Sequence, residues 1–165
     1  MSNRLAADAS DMVAAVAPVV GGMSPSLAER FSPSHPVAAY IIQGDADPLI
    51  PFAGGTIGRR GKPRGSTVST VKVVTAYVSA NRIAGKPQVR TLPDKSKDET
   101  SAERWTYPTG KSGAMVQVDI IKNGGHTWPG KRQYLTERLV GQTCNDYDAT
   151  EAIWEFFSNC PPREL

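Results

Sequence analysis

Residues 36–51 read PVAAYIIQGDADPLIP and divide into an apolar run and the turn that follows it. Pro36 opens the run, VAAYIIQ fills residues 37–43, and Gly44 closes it. A short run that is apolar on both faces is typical of a parallel strand covered by helices on both sides. Residues 13–20 (VAAVAPVV), which end in two glycines, show the same pattern and predict a second buried strand.

The remaining segments predict the helices and outer strands of an α/β domain. Helical composition or spacing marks three segments: residues 3–8, a helix capped by Ser66 that runs to about Arg82, and residues 148–157. Strands are expected at residues 89–92, 104–107 and 115–121. Two connections are also expected: a Gly- and Arg-rich loop over residues 52–66 and a hairpin turn at Gly110–Gly113.

Length and charge restrict the class of protein. The 165 residues suit one domain with one core. The balance is mildly basic, with 19 Lys and Arg against 16 Asp and Glu. Part of the excess lies in one loop without aromatic residues, which favours a solvated surface loop over a nucleic-acid interface. The basic residues of that loop are Arg59, Arg60, Lys62 and Arg64.

Neither the apolar runs nor the cysteines indicate a membrane anchor or a disulfide. No apolar run approaches the roughly 18 residues that a membrane helix needs. Residues 13–20 are too short and lack a basic leader, so they do not predict a signal peptide. Cys144 and Cys160 flank a helix of about 16 Å, whereas a disulfide needs Cα atoms within about 7 Å. Free thiols are therefore expected.

Two turns carry the candidate chemistry, and each follows a predicted buried strand. Residues 44–51 contain Asp45 and Asp47, and residues 124–130 (GGHTWPG) contain His126. In open α/β sheets, ligands bind beyond the carboxyl ends of the strands, where an acid and a histidine can meet. A carboxylate that holds an imidazole fixes its tautomer and stabilises the imidazolium formed during acyl transfer. The order of acid before histidine matches that of α/β-hydrolases.

Purely structural roles could also account for these aspartates and this histidine. An aspartate after a strand is commonly a turn residue or a helix cap, and a histidine between glycine and threonine can be a packed surface residue. Spacing alone does not choose between Asp45 and Asp47. His35, between Ser34 and Pro36, is interpreted as part of a linker. No metal-ligand cluster or nucleotide-binding loop is found in the sequence, so neither a metal nor a cofactor is expected.

Four segments resemble the polyhydroxybutyrate depolymerase and feruloyl esterase-like family of secreted serine esterases. They are the turns GDADPLIP and GGHTWPG, the ending DATEAIWEFF and the opening NRLAADASDMVAAVAPVVGG. The resemblance implies the C-terminal half of an α/β-hydrolase fold, with a partial, mostly parallel sheet and flanking helices. It also implies Asp47 as the acid, His126 as the general base and an ester as substrate. Trp128 is expected to line the substrate pocket. A secreted or periplasmic location follows from the same resemblance.

The nucleophile elbow of that family, G-x-S-x-G, is not found in residues 1–165, which therefore read as a single partial domain without the first strands of the fold. Three serines are poor substitutes. Ser24 is followed by Pro25, which has no N–H for an oxyanion hole. Ser112 lies in the expected hairpin turn, and Ser2 lacks a preceding glycine and strand.

Two functions remain open at this point. The first is a carboxylic ester hydrolase, or the C-terminal fragment of one, with the Asp–His part of a triad. The alternative is a catalytically inactive fragment, or a module that binds an ester or a polysaccharide.

The sequence also predicts self-association. In the sheet that the resemblance implies, the strand near Ala14–Val20 pairs with a strand that this chain lacks. An open and largely apolar edge is a template for pairing with another chain, so a homo-oligomer is expected. Residues 1–12 folding over the edge is the competing outcome.

Overall fold

The computed structural model describes residues 1–59, 62–110 and 113–161. Within these residues the chain forms five helices, α1 (Ser2–Asp8), α2 (Pro25–Glu29), α3 (Thr70–Ala80), α4 (Glu137–Val140) and α5 (Ala149–Ser158). It forms seven strands, β1 (Ala15–Val16), β2 (Ala38–Gly44), β3 (Gly55–Arg59), β4 (Lys62–Thr67), β5 (Gln88–Thr91), β6 (Ser101–Thr106) and β7 (Val116–Lys122).

Five of these strands form the central sheet in the order β1-β2-β7-β6-β5. β1, β2 and β7 are parallel, and β6 and β5 continue the sheet antiparallel. The register of β2 and β7 runs from Ala39 opposite Val116 to Gly44 opposite Ile121, so both strands end at the same edge. The α/β class predicted from the order of the elements is confirmed, and the sheet is mixed.

β2 is buried along its whole length because each of its faces lies against a separate apolar core. Ala39 and Ile41 face a core that includes residues of α1, α2 and α3. Tyr40 and Ile42 face the opposite core, which includes Phe156 of α5. Successive side chains of a strand point to opposite faces, so two covering layers demand the unbroken apolar run of residues 37–42.

A buried polar cluster ties three strands together on the α5 side of the sheet. The Asp119 carboxylate of β7 accepts two hydrogen bonds from Arg104 of β6, Nε to Oδ1 at 2.7 Å and Nη2 to Oδ2 at 2.8 Å. The Tyr40 hydroxyl of β2 donates to Asp119 Oδ2 at 2.6 Å. Burial, and then the negative charge of Asp119, raise the pKa of Tyr40, so this phenol stays protonated and remains a donor.

The segment between the acid turn and α3 differs from the expectation. Residues 52–66 contain the antiparallel β3–β4 hairpin rather than only a loop, while Arg60 lies outside the described residues. Ser66 is in β4, and Ser69 is the residue that caps α3, through its hydroxyl to the Lys72 N–H at 3.2 Å. The cap was misplaced because glycines interrupt the hydrophobic alternation that would have marked the strands.

Other elements follow the sequence more closely. The helices and strands predicted at residues 3–8, 89–92, 104–107, 115–121 and 148–157 overlap the observed α1, β5, β6, β7 and α5. Both cysteines are free as expected. The run at residues 13–20 contributes only β1 and an isolated bridge from Val19 to Ile42. The helices α2 and α4 were not predicted, and the turn expected at Gly110–Gly113 includes residues outside the described part. No helix in the described part is long and apolar enough to cross a membrane.

The Asp119 cluster yields a stability prediction. Asp119→Ala leaves the Arg104 guanidinium without its carboxylate, and such a loss in a protein interior costs about 3–5 kcal/mol of unfolding free energy. Lys131→Ala is the matched control, because its ion pair with Asp148 is solvent-exposed and its loss is expected to change the unfolding free energy far less. Urea unfolding of both variants measures the difference. Equal losses would contradict a dominant role for the buried cluster.

The β1 edge yields a second prediction. Backbone hydrogen bonds to β2 are formed by Ala14 O, Pro18 O and Val20 N. The backbone groups of the intervening residues 15, 17 and 19 therefore point away from β2. The described residues supply no further strand on that side. We expect two copies to pair through this edge, and Ala17→Pro, which removes one outward N–H, to weaken that pairing. Light scattering over a dilution series measures the association. A dilution-stable monomer with residues 14–20 protected from hydrogen exchange would contradict it.

Candidate active site

The acid turn and the histidine turn lie side by side because β2 and β7 are parallel neighbours. Backbone hydrogen bonds join the two turns directly. The Asp45 N–H donates to the Ile121 carbonyl at 3.0 Å, and the Ala46 N–H donates to the Gly124 carbonyl at 3.0 Å. The relative position of the two turns is therefore fixed by main-chain contacts before any side chain is considered.

Glycines permit this close approach. A Cβ atom on Gly44 would overlap the carbonyl of Gly124, and a Cβ atom on Gly125 would overlap the carbonyl of Val140. The Gly125 N–H also donates to the Gln142 carbonyl at 2.9 Å, which attaches the histidine turn to the segment after α4. Gly44 and Gly125 thus allow main chain to contact main chain, while a Cβ atom on Gly124 would overlap the side chain of Ile121.

Asp47 and His126 meet at this edge of the sheet. His126 Nδ1 lies 2.9 Å from Asp47 Oδ2. The Asp47 side chain is fully buried, whereas 23% of the His126 side chain is exposed. A carboxylate only accepts hydrogen bonds, so neutral His126 carries its proton on Nδ1 and presents Nε2 as an acceptor. This is the arrangement that a general base requires.

Three further donors hold the Asp47 carboxylate. Oδ1 accepts from the N–H groups of Leu49 and Ile50 at 2.8 and 2.9 Å, which closes the acid turn. Oδ2 accepts from the Gln43 amide at 3.0 Å in addition to the imidazole. Gln43 is itself buried at the end of β2 and also donates to the Ile50 carbonyl at 3.2 Å. Each oxygen has two partners, and the orientation of the carboxylate is fixed.

Asp45 has a different role from Asp47. Its Oδ1 accepts from the Asn123 N–H at 2.7 Å, and its Oδ2 lies 3.7 Å from Lys122 Nζ. Asn123 has a positive φ of 56°, a conformation that asparagine tolerates better than most residues. Asp45 therefore stabilises the turn after β7, and the carboxylate that contacts His126 is Asp47.

The main chain of His126 is also anchored. Its N–H donates to the Val140 carbonyl at 2.5 Å, and its carbonyl accepts from the Tyr134 hydroxyl at 3.0 Å. The hydrogen bond between Nδ1 and Asp47 fixes one edge of the ring, and these main-chain hydrogen bonds fix the backbone that carries it. Its remaining surface is directed to a cleft.

The cleft beside His126 has a volume of about 360 Å³ and is mainly apolar. Two walls form it. The first comprises the acid turn and the β3–β4 hairpin, and the second comprises α4 and the residues just before it. Its lining residues are Leu49, Ile50, Ile57, Gly58, Lys62, Arg64, His126, Leu135, Leu139 and Val140. An apolar cleft with a small number of polar groups is the usual form of a small-molecule site.

The other predicted site residues lie elsewhere. Trp128 is 42% exposed and donates its indole N–H to Thr150 at 3.1 Å, and it is not among the lining residues of this cleft. Its substrate-binding role stays a prediction. His35 contacts Ser34 at the opposite end of β2. Within the described residues, no group of three or more His, Cys, Asp or Glu side chains could hold a metal ion.

The two candidate serines in the described part of the chain form no hydrogen bond with His126. Ser24 caps α2, with its hydroxyl accepting from the Leu27 N–H at 3.2 Å. Ser2 is the first residue of α1. Ser112 lies outside the described residues. Sequence reasoning missed Gln43, although a single polar residue at the end of an apolar run, four positions before Asp47, is the signal that could have identified it.

Comparison with known proteins finds similarity to a protein that is named as an esterase. No protein-family model matches the chain. The chain is 32% identical over 164 residues to the curated protein named "Putative esterase NocK" of Nocardia uniformis subsp. tsuyamanensis. The match covers 94% of the chain and 47% of that protein, so the chain spans about half the length of this relative. The chain is thus similar to part of a protein that is named as an esterase.

The hydrogen bonds of Asp47 predict how His126 responds to substitution. In Asp47→Asn, the two backbone donors at the Oδ1 position favour the amide oxygen there, which places the NH₂ group against His126 Nδ1. The imidazole proton then moves to Nε2, the wrong tautomer for a base. The ring ¹⁵N shifts of histidine-labelled protein at about pH 9, well above the usual histidine pKa of about 6.5, report the tautomer.

Two controls accompany this measurement. Asp45→Asn removes the same charge two residues away and is expected to leave the Nδ1–H tautomer of His126 unchanged. His35 is the only other histidine and serves as an internal reference. A tautomer change in Asp45→Asn but not in Asp47→Asn would reverse the assignment of the acid.

Proposed function

We propose that this chain carries the acid and the base of a serine ester hydrolase, with His126 as general base and Asp47 as the carboxylate that orients it. The observation that carries the proposal is the 2.9 Å contact between His126 Nδ1 and buried Asp47 Oδ2 beside an apolar cleft. The similarity to an esterase supports the same reaction class.

In the proposed reaction, His126 Nε2 takes the proton of a serine hydroxyl as its oxygen attacks the ester carbonyl. The tetrahedral intermediate collapses when the imidazolium returns that proton to the leaving alcohol, which leaves an acyl-enzyme. Water, deprotonated by the same nitrogen, then attacks the acyl group, and His126 gives the proton back to serine as the acid product leaves. Asp47 holds the ring and stabilises the imidazolium in both halves of the reaction.

The nucleophile is a separate part of the proposal. In the described residues, no serine, threonine or cysteine side chain hydrogen-bonds to His126. The resemblance to polyhydroxybutyrate depolymerases and feruloyl esterases implies a serine in a G-x-S-x-G elbow ahead of the NRLA segment. We therefore propose that the reacting serine belongs to a part of the whole protein that residues 1–165 do not include.

The finer assignments rest on that resemblance alone. They comprise a substrate of the polyhydroxybutyrate or feruloyl ester type, a sheet that is the C-terminal half of an α/β-hydrolase fold, and export to the periplasm or the medium. Trp128, exposed two residues after His126, is proposed to contact the part of the substrate outside the apolar cleft.

Ester turnover tests the catalytic proposal. The whole protein encoded by the open reading frame that contains residues 1–165 is expressed. It is assayed with a chromogenic short-chain ester. His126→Ala is expected to lower kcat/KM by about a thousandfold or more, since the loss of one triad member disables the unit. Asp45→Asn is the matched control and is expected to retain activity. Turnover that is unchanged in His126→Ala would refute the proposal.

A binding module is the second candidate, favoured because no hydroxyl or thiol side chain in the described residues hydrogen-bonds to the His126 imidazole. It predicts no turnover by the encoded protein together with retention of the protein on a polyester film or an acylated polysaccharide. Turnover that depends on His126 excludes it.

A further inference from the structure

Two cations lie at the apolar cleft that contains His126. Lys62 and Arg64 of β4 are both exposed and both line the cleft. They occupy alternate positions of one strand, so their side chains leave the same face about 6.6 Å apart at the Cα atoms. The sequence pattern predicts a solvated loop for both residues, whereas the structure places them on one wall of the candidate active site.

The hairpin that bears these cations is joined to the acid turn. The Gly58 N–H of β3 donates to the Leu49 carbonyl at 2.8 Å. Gly58 has a φ of 101°, a conformation that favours glycine, and the register of β3 and β4 shifts between Thr56 and Gly58. The hairpin is thus attached two residues after Asp47, which sets Lys62 and Arg64 at a defined place relative to His126.

The described lining of the cleft carries no negative charge. None of its residues is an aspartate or a glutamate, and the buried Asp47 carboxylate is not part of the lining. Neither Lys62 nor Arg64 forms an ion pair with another described residue. An apolar cleft whose only charges are positive concentrates ligands that combine an apolar body with an anionic group.

We propose that the substrate is an ester that carries a carboxylate. Its apolar chain lies along Leu135, Leu139 and Ile57, its ester group faces His126, and its carboxylate binds Lys62 and Arg64. This inference rests on the proposed ester hydrolase function and specifies its substrate class. A half-ester of a dicarboxylic acid has the required chemistry: one end is hydrolysed and the other is recognised.

A pair of matched probes tests the proposal by equilibrium binding. Monomethyl suberate carries a carboxylate at one end, and dimethyl suberate is its neutral counterpart. The whole encoded protein that contains residues 1–165 is titrated with each probe at low salt as its His126→Ala variant, which is not expected to hydrolyse the probes, and the NMR signal of the Gly58 amide reports the Kd. The half-ester is expected to bind about five- to tenfold more tightly, and added salt is expected to reduce the preference because both cations are exposed.

Charge-matched variants identify the residues responsible. Lys62→Gln with Arg64→Gln is expected to abolish the preference. Lys72→Gln with Arg90→Gln removes the same net charge from residues that do not line the cleft, and the preference is expected to persist. Equal Kd values for the two probes, a preference that survives in the first pair or disappears in the second, or probe-induced shifts that miss Gly58 would each overturn the proposal.

This measurement does not depend on catalysis. Turnover that is unaffected by His126→Ala would refute the hydrolase function while the binding comparison still reports the charge preference. Equal binding of the two probes would refute the substrate class while leaving the turnover test intact.

Discussion

The parallel pairing of β2 with β7 is the constraint on which the site depends. Residues far apart in sequence, Asp47 and His126, follow these two strands, and the register that ends with Gly44 opposite Ile121 brings both turns to one edge of the sheet. The pairing is itself maintained by burial on both faces and by the Asp119 cluster, which joins β2, β7 and β6 through Tyr40 and Arg104. A shift of one position along either strand would separate the acid from the base and turn every side chain to the opposite core.

The geometry of the Asp47–His126 pair is then completed by groups outside the pair. Gln43 and the N–H groups of Leu49 and Ile50 hold the Asp47 carboxylate, while main-chain contacts with Val140 and Tyr134 hold His126. Glycines allow the turns to contact each other, and the β3–β4 hairpin adds one wall of the cleft. The same hairpin carries the two cations that we propose select the substrate, so recognition and acid–base chemistry both depend on the acid turn.

The sequence predicts the core of the sheet better than it predicts the cleft. The unbroken apolar run at residues 37–42 indicated a buried parallel strand, and the polar residues directly after two such strands indicated the edge at which Asp47 and His126 meet. Spacing could not decide between Asp45 and Asp47, because the choice depends on which carboxylate faces the imidazole. The hairpin was missed since its glycines and charges lack an alternating pattern, and α4 was missed because a helix of four residues is too short for a helical period. The cleft is built from these two missed elements, so its lining could not be predicted.

A double-mutant cycle measures whether Asp47 and His126 act as one unit in ester hydrolysis. Turnover of a chromogenic ester by the encoded protein is measured for Asp47→Asn, His126→Ala and the combined variant. Residues that act as a unit give grossly non-additive losses, so the double variant is expected to be no slower than His126→Ala alone. Losses that multiply in the double variant, or turnover that neither substitution changes, would show that the two residues do not act together in this reaction.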